Sequence, residues 1–266
     1  MCVLFLVSQQ HSGFPFILLS NRDEFFHRPS VKAHYWKEFP DLLAGKDKKA
    51  GGTWLGVTRQ GKFAIITNYR EIVPSKKLFS RGLLVRDFLQ ASASVAEYVD
   101  RVNRNRQQYD GFNLLIGQIS SAGNEIMYVS NRTAEVSTLS AGMYGLSNHL
   151  LDSPWPKVLA GKQRLSQLLH QERFEVRDLF AILEDPSGFP DEQLPDTGIG
   201  IHMERLLSPL FIKTPLYGTR TSTVILMDQE GNVSFHEKNH SPIQIKKRPQ
   251  TFHFQIESVQ GVTHGI

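Results

Sequence analysis

The chain has 266 residues, of which 40% are hydrophobic and 21% charged, as in an ordinary globular protein. One domain spanning 1–266 is expected, because a single hydrophobic core still suffices at this length. The formal net charge is +4, from 30 basic and 26 acidic residues, and like charges never form a run of five. Such scattered charge argues against a nucleic-acid-binding surface and is compatible with a small anionic ligand.

The cysteine content and the N-terminus bear on the cellular compartment. Cys2 is the only cysteine, so an intrachain disulfide is impossible and a reducing compartment is favoured. The opening MCVLFLVSQQ is apolar for only about six residues and lacks a basic leader, which is too short for a signal peptide or a membrane span. We therefore expect a soluble cytoplasmic protein without a transmembrane segment.

The first third of the sequence predicts two β-hairpins. Residues 2–8 and 15–21 are apolar and β-prone, and a Ser-Gly turn separates them. This hairpin would place Cys2 beside the end of the second strand. A second hairpin is predicted from strands at 53–58 and 62–68.

Helical and extended patterns follow in blocks. Ser80 is a plausible N-cap for a helix, and Val95, Tyr98, Val99 and Val102 share one helical face. Strands are predicted in FNLLIGQI, NEIMYVS and GMYGLSN and at 221–228, 233–238 and 251–257; helices at 155–170 and 175–184; and a loop at 185–200. Blocks of strands and helices, rather than strict alternation, predict an α+β fold with two mainly antiparallel sheets and helices outside them.

Cys2 supports two interpretations. If Met1 is trimmed, the α-amine of Cys2 titrates near ~8 beside a thiol near ~8.5, so one group could act as base for the other. A neighbouring Arg would lower the thiol pKa further. Alternatively, Cys2 is a small buried hydrophobic residue at a strand edge.

The stretch FILLSNRDEFF runs from an apolar strand directly into charged residues. Because successive strand residues face opposite sides, Arg22 and Glu24 would share one face, and Asp23 would lie on the other. Only one set can face a cleft together with Cys2, and we favour Arg22, since a guanidinium holds anions and lowers a thiol pKa. Asp23 would then act as a structural hydrogen-bond acceptor, and the alternative is a solvated strand end.

Three further polar residues lie at strand ends. Asn68 and Asn148 could each donate to an oxyanion or simply begin a turn. Arg220 enters an apolar strand, where it needs either a structural partner or a ligand. The sequence contains no Walker loop, GxGxxG, HExxH or CxxCH motif, so no metal site or covalently bound cofactor is predicted.

Seven segments, in order along the whole chain, resemble the NRDE-domain family, also called the transport-and-Golgi-organisation protein two family. They are MCVLF, SNRDEFFHRP, GGTWLGV, TNYRE, GFNLLIG, YGLSNHLLDSPWPK and YGTRTSTVILMD. The resemblance implies the N-terminal-nucleophile (Ntn) hydrolase fold, a four-layer αββα sandwich. It also implies a link to haem trafficking and, in animals, to Golgi and mitochondrial lipid metabolism.

A more distant similarity is to the Cys-type Ntn amidohydrolases that cleave penicillin V and conjugated bile acids. By that resemblance, the catalytic positions correspond to Cys2, Arg22, Asn68, Asn148 and Arg220. Asp23 departs from the pattern, because those enzymes place the acid three residues after the Arg rather than next to it.

These observations leave three functional hypotheses. The first is a haem-binding and haem-transfer protein whose ligand contacts come from Cys2, Arg22, Asn68, Asn148 and Arg220, with Cys2 or His27 as axial ligand. The second is an amidohydrolase that cleaves a linear C–N amide bond with Cys2 as nucleophile. The third is a non-catalytic protein that binds acyl lipid or coenzyme A, or acts through a partner protein.

Overall fold

The computed structural model describes residues 2–72, 77–241 and 248–257. The strands within these ranges are β1 Cys2–Ser8, β2 Phe16–Phe25, β3 Ser30–Trp36, β4 Phe39–Asp47, β5 Leu55–Thr58, β6 Lys62–Asn68, β7 Phe112–Ser120, β8 Gly123–Ser130, β9 Val136–Thr138, β10 Gly142–Leu146, β11 Tyr217–Met227, β12 Asn232–Asn239 and β13 Gln250–Gln255. The α-helices are α1 Gly82–Gln90, α2 Val95–Asn105, α3 Pro156–Leu169, α4 Val176–Leu183 and α5 Ile201–Leu207.

The strands form two antiparallel sheets. The six-stranded sheet has the order β10-β1-β2-β11-β12-β13, and the seven-stranded sheet runs from β3 to β9 in chain order. β1 and β2 are therefore central neighbours that bring the N-terminus into the middle of the six-stranded sheet. The predicted hairpins β1–β2 and β5–β6 are both present.

Three hydrophobic layers hold the sheets and helices together. One cluster fills the space between the two sheets, a second joins the seven-stranded sheet to α1 and α2, and a third joins the six-stranded sheet to α3 and α4. This is the αββα sandwich that the family resemblance implied, and it confirms the α+β fold class predicted from the sequence pattern. Among the described residues, no helix is long and apolar enough to cross a membrane.

Strand alternation decides which side chains face which layer. In β1, Leu4 and Leu6 lie in the cluster between the sheets, whereas Val3 and Phe5 pack against the helices. This is the period of two that an extended chain imposes. Because this alternation holds to the first residue of β1, the Cys2 side chain projects from the same face as Leu4 and Leu6.

The helix α2 forms where the apolar spacing predicted it, and its start is well capped. Val95, Tyr98, Val99 and Val102 are its buried residues, and Ser94 and Glu97 form a reciprocal capping box. The prediction for α1 was less accurate, because Arg81 occupies the N-cap position and no side chain caps the helix. Ser80 accepts only through its backbone carbonyl, from the Leu83 amide.

Several elements were not predicted. The hairpin β3–β4, the short strand β9 and the helix α5 fall in stretches where polar and apolar residues do not alternate cleanly. The predicted loop 185–200 is confirmed, apart from a short 3-10 helix at Asp191–Gln193. These elements depend on long-range packing, which local patterns do not encode.

Candidate functional site

Cys2 and Arg22 face each other across two central strands. In the antiparallel register of β1 and β2, Cys2 lies directly opposite Arg22. Directly opposed residues project from the same face of a sheet, so both follow Leu4 and Leu6 toward the space between the sheets. Cys2 is half-buried. The hairpin therefore places the single thiol of the chain beside a guanidinium, as the alternation of β2 predicted.

The Arg22 side chain is buried with an unused hydrogen-bond donor. Arg22 is only 6% exposed, and its guanidinium lies 4.2 Å from the centre of the Trp54 ring. Its Nη2 is 3.9 Å from the Glu24 carboxylate, while its Nη1 is buried and has no hydrogen-bond partner among the described residues. Buried N–H groups are nearly always paired in native proteins. An anion entering beside Cys2 would supply the missing acceptor.

Charged residues next to Arg22 form a network along the same rim. Arg28 donates to the Asp47 carboxylate at 2.6 Å and lies 3.6 Å from the Glu24 carboxylate. Arg81 contributes a third guanidinium, whose Nη1 donates to the Gly111 carbonyl at 2.9 Å. Burial lowers the pKa of Arg22 and of Arg81, but arginines remain charged in proteins. Three cations and two carboxylates thus border one site.

The backbone N–H and the side-chain carboxylate of Asp23 make contacts on opposite sides of β2. Its backbone N–H donates to the Cys2 sulfur. Its carboxylate accepts from the Thr219 hydroxyl at 2.6 Å and feels the charge of Lys157. The carboxylate therefore belongs to the helix side of the sheet, where the sequence placed it as a structural acceptor. Burial raises its pKa.

Lys157 was not singled out from the sequence, although it belongs to the same buried group. It lies in the first turn of α3, and its Nζ donates to the Leu207 carbonyl at 2.8 Å. Burial lowers its pKa to about 8, and Asp23 opposes that shift. A lysine after a Trp-Pro pair at a helix start carries no local signal of burial, so only the packing of α3 could have identified it.

Arg220 occupies a β-bulge rather than the cleft. The register between β2 and β11 shifts between Thr219 and Thr221, leaving Arg220 as the extra residue. Its Nη1 donates to the carbonyls of Phe25 and Arg28, which close the turn between β2 and β3. The half-buried guanidinium thus finds hydrogen-bond partners in the backbone. Arg220 is not among the residues that line the cleft beside Cys2, where the sequence predicted its ligand contact.

The two predicted asparagines meet, but only Asn68 borders the cleft. Asn148 is fully buried, and its Nδ2 donates to the Asn68 carbonyl at 2.9 Å. One hydrogen of its amide therefore positions Asn68, and Asn148 itself is not among the residues that line the cleft. Next to Asn148, the Ser147 hydroxyl donates to the Cys2 carbonyl at 3.1 Å, which ties this strand end to the thiol.

His27 lies away from the thiol. It is exposed, and its ring packs against Phe25 with centroids 5.4 Å apart. It does not line the cleft beside Cys2, so the axial-ligand position proposed for it from sequence is not where this side chain lies. The cause is the turn after β2, in which residues 26–29 leave the six-stranded sheet and lead into β3 of the other sheet.

These side chains border a half-open cleft with a cavity volume of about 110 Å³. It is lined by Cys2, Arg22, Asp23, Glu24, Arg28, Asp47, Thr53, Trp54, Ile66, Asn68, Ser80, Arg81 and Gly82. Burial raises the pKa of the Cys2 thiol, and the charge of Arg22 acts in the opposite direction. The free thiol is therefore protonated near neutral pH. The sequence analysis singled out neither Trp54 nor Arg81 as a site residue. Trp54 lies in one of the segments that resemble the family, whereas no sequence feature pointed to Arg81.

Comparison with known proteins identifies the family. Residues 1–242 match the model of the family "Transport and Golgi organisation 2". The chain belongs to the transport and Golgi organisation 2 family. The Homo sapiens homologue of this family is 35% identical over 276 residues, covering 97% of this chain and 100% of its own length. The Drosophila melanogaster member is 30% identical and covers 90% of this chain and 92% of its own.

Solved structures show which fold this family member shares. Two variants of conjugated bile acid hydrolase from Clostridium perfringens, C2A and R18L, superpose with TM-scores of 0.51 and 0.50. Their sequence identities are 10% and 11%; they cover 98% and 96% of this chain and 100% and 98% of their own. At such identity the likeness establishes the Ntn-hydrolase fold alone.

Proposed function

We propose that this family member is a pocket protein whose cleft binds the anionic head of an amphipathic ligand, with haem as the first candidate. The observation that carries the proposal is the buried Nη1 of Arg22, which has no hydrogen-bond partner among the described residues. A haem propionate is a carboxylate and would accept from this group, since Arg and carboxylate form strong charge-assisted hydrogen bonds. The Cys2 thiolate would be the axial ligand, because haem iron accepts cysteine sulfur.

Transfer rather than permanent retention is favoured by the shape of the cleft. It is half-open, and its lining is rich in charged side chains rather than apolar ones. Because burial raises the pKa of the Cys2 thiol, coordination must release a proton from the sulfur. Binding through Cys2 would therefore weaken as pH falls, which suits a carrier that hands its ligand on.

A haem titration of the purified full-length protein tests the proposal. The expected result is a Soret shift that saturates near one equivalent, with affinity about tenfold or more weaker in Arg22→Gln, because a charged hydrogen bond is lost. Arg177→Gln is the matched control, since the Arg177 side chain is 77% exposed and does not line the cleft. Cys2→Ser should change the band position if sulfur is the axial ligand.

Two outcomes would contradict this function. A featureless, non-saturating titration would remove haem as the ligand. Saturable binding that is equal in the wild type and in Arg22→Gln would remove the cleft as the site. Native mass spectrometry of gently purified protein, with palmitate and a coenzyme A thioester as competitors, would reveal whether an acyl ligand occupies the cleft instead.

An amidohydrolase is the second candidate, and the contact between the Asp23 N–H and the Cys2 sulfur favours it. In this mechanism the Cys2 sulfur attacks the carbonyl carbon of a linear amide, and its proton passes to the α-amine freed by removal of Met1. The α-ammonium group then protonates the leaving amine as the C–N bond breaks, and water hydrolyses the resulting thioester to release the acid and the free thiol. Asn68, at the edge of the cleft, would donate to the developing oxyanion. Intact mass is decisive: quantitative retention of Met1 on active protein excludes this mechanism, whereas its loss together with selective acylation of Cys2 supports it.

A further inference from the structure

Several exposed apolar side chains lie in segments beside the cleft. Ten large hydrophobic side chains are exposed among the described residues. Phe25, Leu78 and Phe79 are close neighbours in the chain of residues that line the cleft. Single exposed apolar residues are normal, but a cluster beside a binding cleft indicates a contact surface.

One lip of the cleft belongs to the six-stranded sheet. Phe25 directly follows Glu24, which lines the cleft, and its ring packs edge-on against Tyr217 at 5.1 Å. Leu216 precedes Tyr217, and its carbonyl accepts from the Phe26 amide at 2.9 Å. Leu216 itself is 74% exposed. Two loops of this sheet thus present neighbouring apolar tips beside the entrance.

The other lip belongs to the seven-stranded sheet. Leu78 and Phe79 directly precede Ser80 and Arg81, which line the cleft, and Leu78 is 83% exposed. Ile72 follows the end of β6, where its side chain packs close to the Gly198 backbone. We call Phe25, Ile72, Leu78, Phe79 and Leu216 the apolar rim. α5 begins shortly after Gly198 and carries three more exposed apolar side chains, Ile201, Met203 and Leu206.

Cationic side chains accompany the apolar rim. Lys77 directly precedes Leu78, and Lys213 lies three residues before Leu216. Both lysines are exposed, and neither is ion-paired within the described ranges 2–72, 77–241 and 248–257. In contrast, Glu24 and Glu71, the acidic residues next to Phe25 and Ile72, are paired with Arg28 and Arg132. Next to these rim residues and Leu78 and Leu216, the unpaired charge is therefore positive.

We propose that the mouth of the cleft docks on an anionic phospholipid bilayer. The apolar rim enters the boundary between head groups and acyl chains, while Lys77 and Lys213 contact lipid phosphates, as in interfacial proteins. The apolar tips come from separate loops, each beside a lysine or arginine, and a fluid interface accepts such an arrangement without a complementary shape. Docking would let an amphipathic ligand pass between bilayer and cleft without crossing water, whichever ligand the cleft takes.

Vesicle flotation with the full-length protein tests this surface. The wild type is expected to float with phosphatidylcholine–phosphatidylserine vesicles, less with pure phosphatidylcholine, and less again as salt is raised. The double variant Leu78→Ser/Leu216→Ser should bind about tenfold or more weakly, because two buried leucines are lost from the interface. Phe39→Ser/Leu159→Ser is the matched control, since it removes two exposed apolar residues that do not belong to the rim.

The results that overturn the proposal are distinct from a failure of haem binding, because the vesicle assay contains no haem. Absence of wild-type flotation on both vesicle types would refute it, as would an equal loss in the rim and control variants. If the rim variant floats normally but loses concentration-dependent self-association, the surface joins two copies of the chain instead. Circular dichroism of each variant verifies that the exposed substitutions leave the fold intact.

Discussion

Arg22 combines burial, a nearby aromatic ring and an unfilled hydrogen bond, which is a costly arrangement unless a ligand completes it. Its guanidinium is stacked on Trp54, and Glu24 is its nearest carboxylate, at 3.9 Å. An unpaired buried N–H costs about 1–3 kcal/mol. Residues that serve binding often reduce stability in the unliganded protein. Arg22 has this signature, whereas Arg28 is fully paired with Asp47.

This contrast predicts opposite stability effects for two arginines. Arg22→Met is expected to leave the free energy of unfolding unchanged or to raise it by about 1–3 kcal/mol, because an apolar side chain replaces a poorly satisfied buried charge. Arg28→Met should lower it, since Asp47 loses its partner. Urea unfolding of both variants measures the difference. A clear loss of stability in Arg22→Met would mean that the guanidinium is structural.

The reactivity of Cys2 gives a second prediction at this scale. Burial raises the pKa of its thiol while Arg22 lowers it, so the rate of alkylation by iodoacetamide should reach its midpoint above the usual thiol range. Arg22→Gln should move that midpoint to still higher pH. Since Cys2 is the only cysteine, mass spectrometry follows it without interference. A midpoint below that of a free cysteine would contradict the electrostatics derived from the structure.

The site could be predicted from sequence where it depended on strand pairing. The short hairpin fixes Cys2 opposite Arg22, and alternation sends the Asp23 carboxylate to the other face, so local rules sufficed there. Arg81 and Lys157 come from helix starts far along the chain, and only tertiary packing brings them close. For Arg220, the sequence showed only that an arginine in a strand needs a partner. It did not reveal the bulge that directs this side chain to backbone carbonyls.

At the scale of elements, a buried ion pair attaches the segment containing α5 to the end of β6. Arg70 follows β6, and its Nη1 donates to the Glu204 carboxylate, which also accepts from the Thr197 amide and hydroxyl. The Arg70 guanidinium lies 4.7 Å from the centre of the Trp155 ring. Both charged side chains are almost completely buried. This pair holds the loop that precedes α5 against the body of the protein.

Replacing one partner of the Arg70–Glu204 pair is expected to lower the stability of the protein strongly. Glu204→Gln should lower the free energy of unfolding by about 3–5 kcal/mol, because a buried guanidinium loses its counter-charge. Limited proteolysis within 185–200 should also be faster in the variant, because this segment unfolds locally more often once the ion pair is lost. The double variant Arg70→Met/Glu204→Leu should regain part of the loss. If the double variant is no better than Glu204→Gln, the two side chains do not act as a pair.

For the whole molecule, the stacking of the two sheets depends on buried polar contacts as well as on the apolar cluster between them. Ser147 donates to the Cys2 carbonyl, and Thr67 donates to the Ser147 carbonyl at 2.8 Å, so one chain of hydrogen bonds crosses from sheet to sheet at the cleft. At another point, Glu237 of β12 accepts from the Ala33 amide of β3 at 2.9 Å. These contacts set the separation of the sheets and hence the width of the cleft.

Glu237 makes the stability of this assembly depend on pH in a definite direction. Burial raises its pKa in the folded protein, so the native state holds a proton more tightly than the unfolded chain. Its contribution to stability is complete below the unfolded value of about 4.3 and is lost as pH rises through the folded pKa. Glu237→Gln cannot ionise, yet it can still accept from the Ala33 amide.

The variant should therefore exceed the wild type in free energy of unfolding by about 1 kcal/mol or more at pH 7, because it avoids a buried charge. The difference should shrink toward zero as pH falls to about 4, where both chains are neutral at this position. Urea unfolding of the two proteins across this pH range measures it, and the difference cancels all other titrating groups. A wild-type advantage that grows with pH would mean that the carboxylate is stabilised in its charged form by the Ala33 and Asn239 donors.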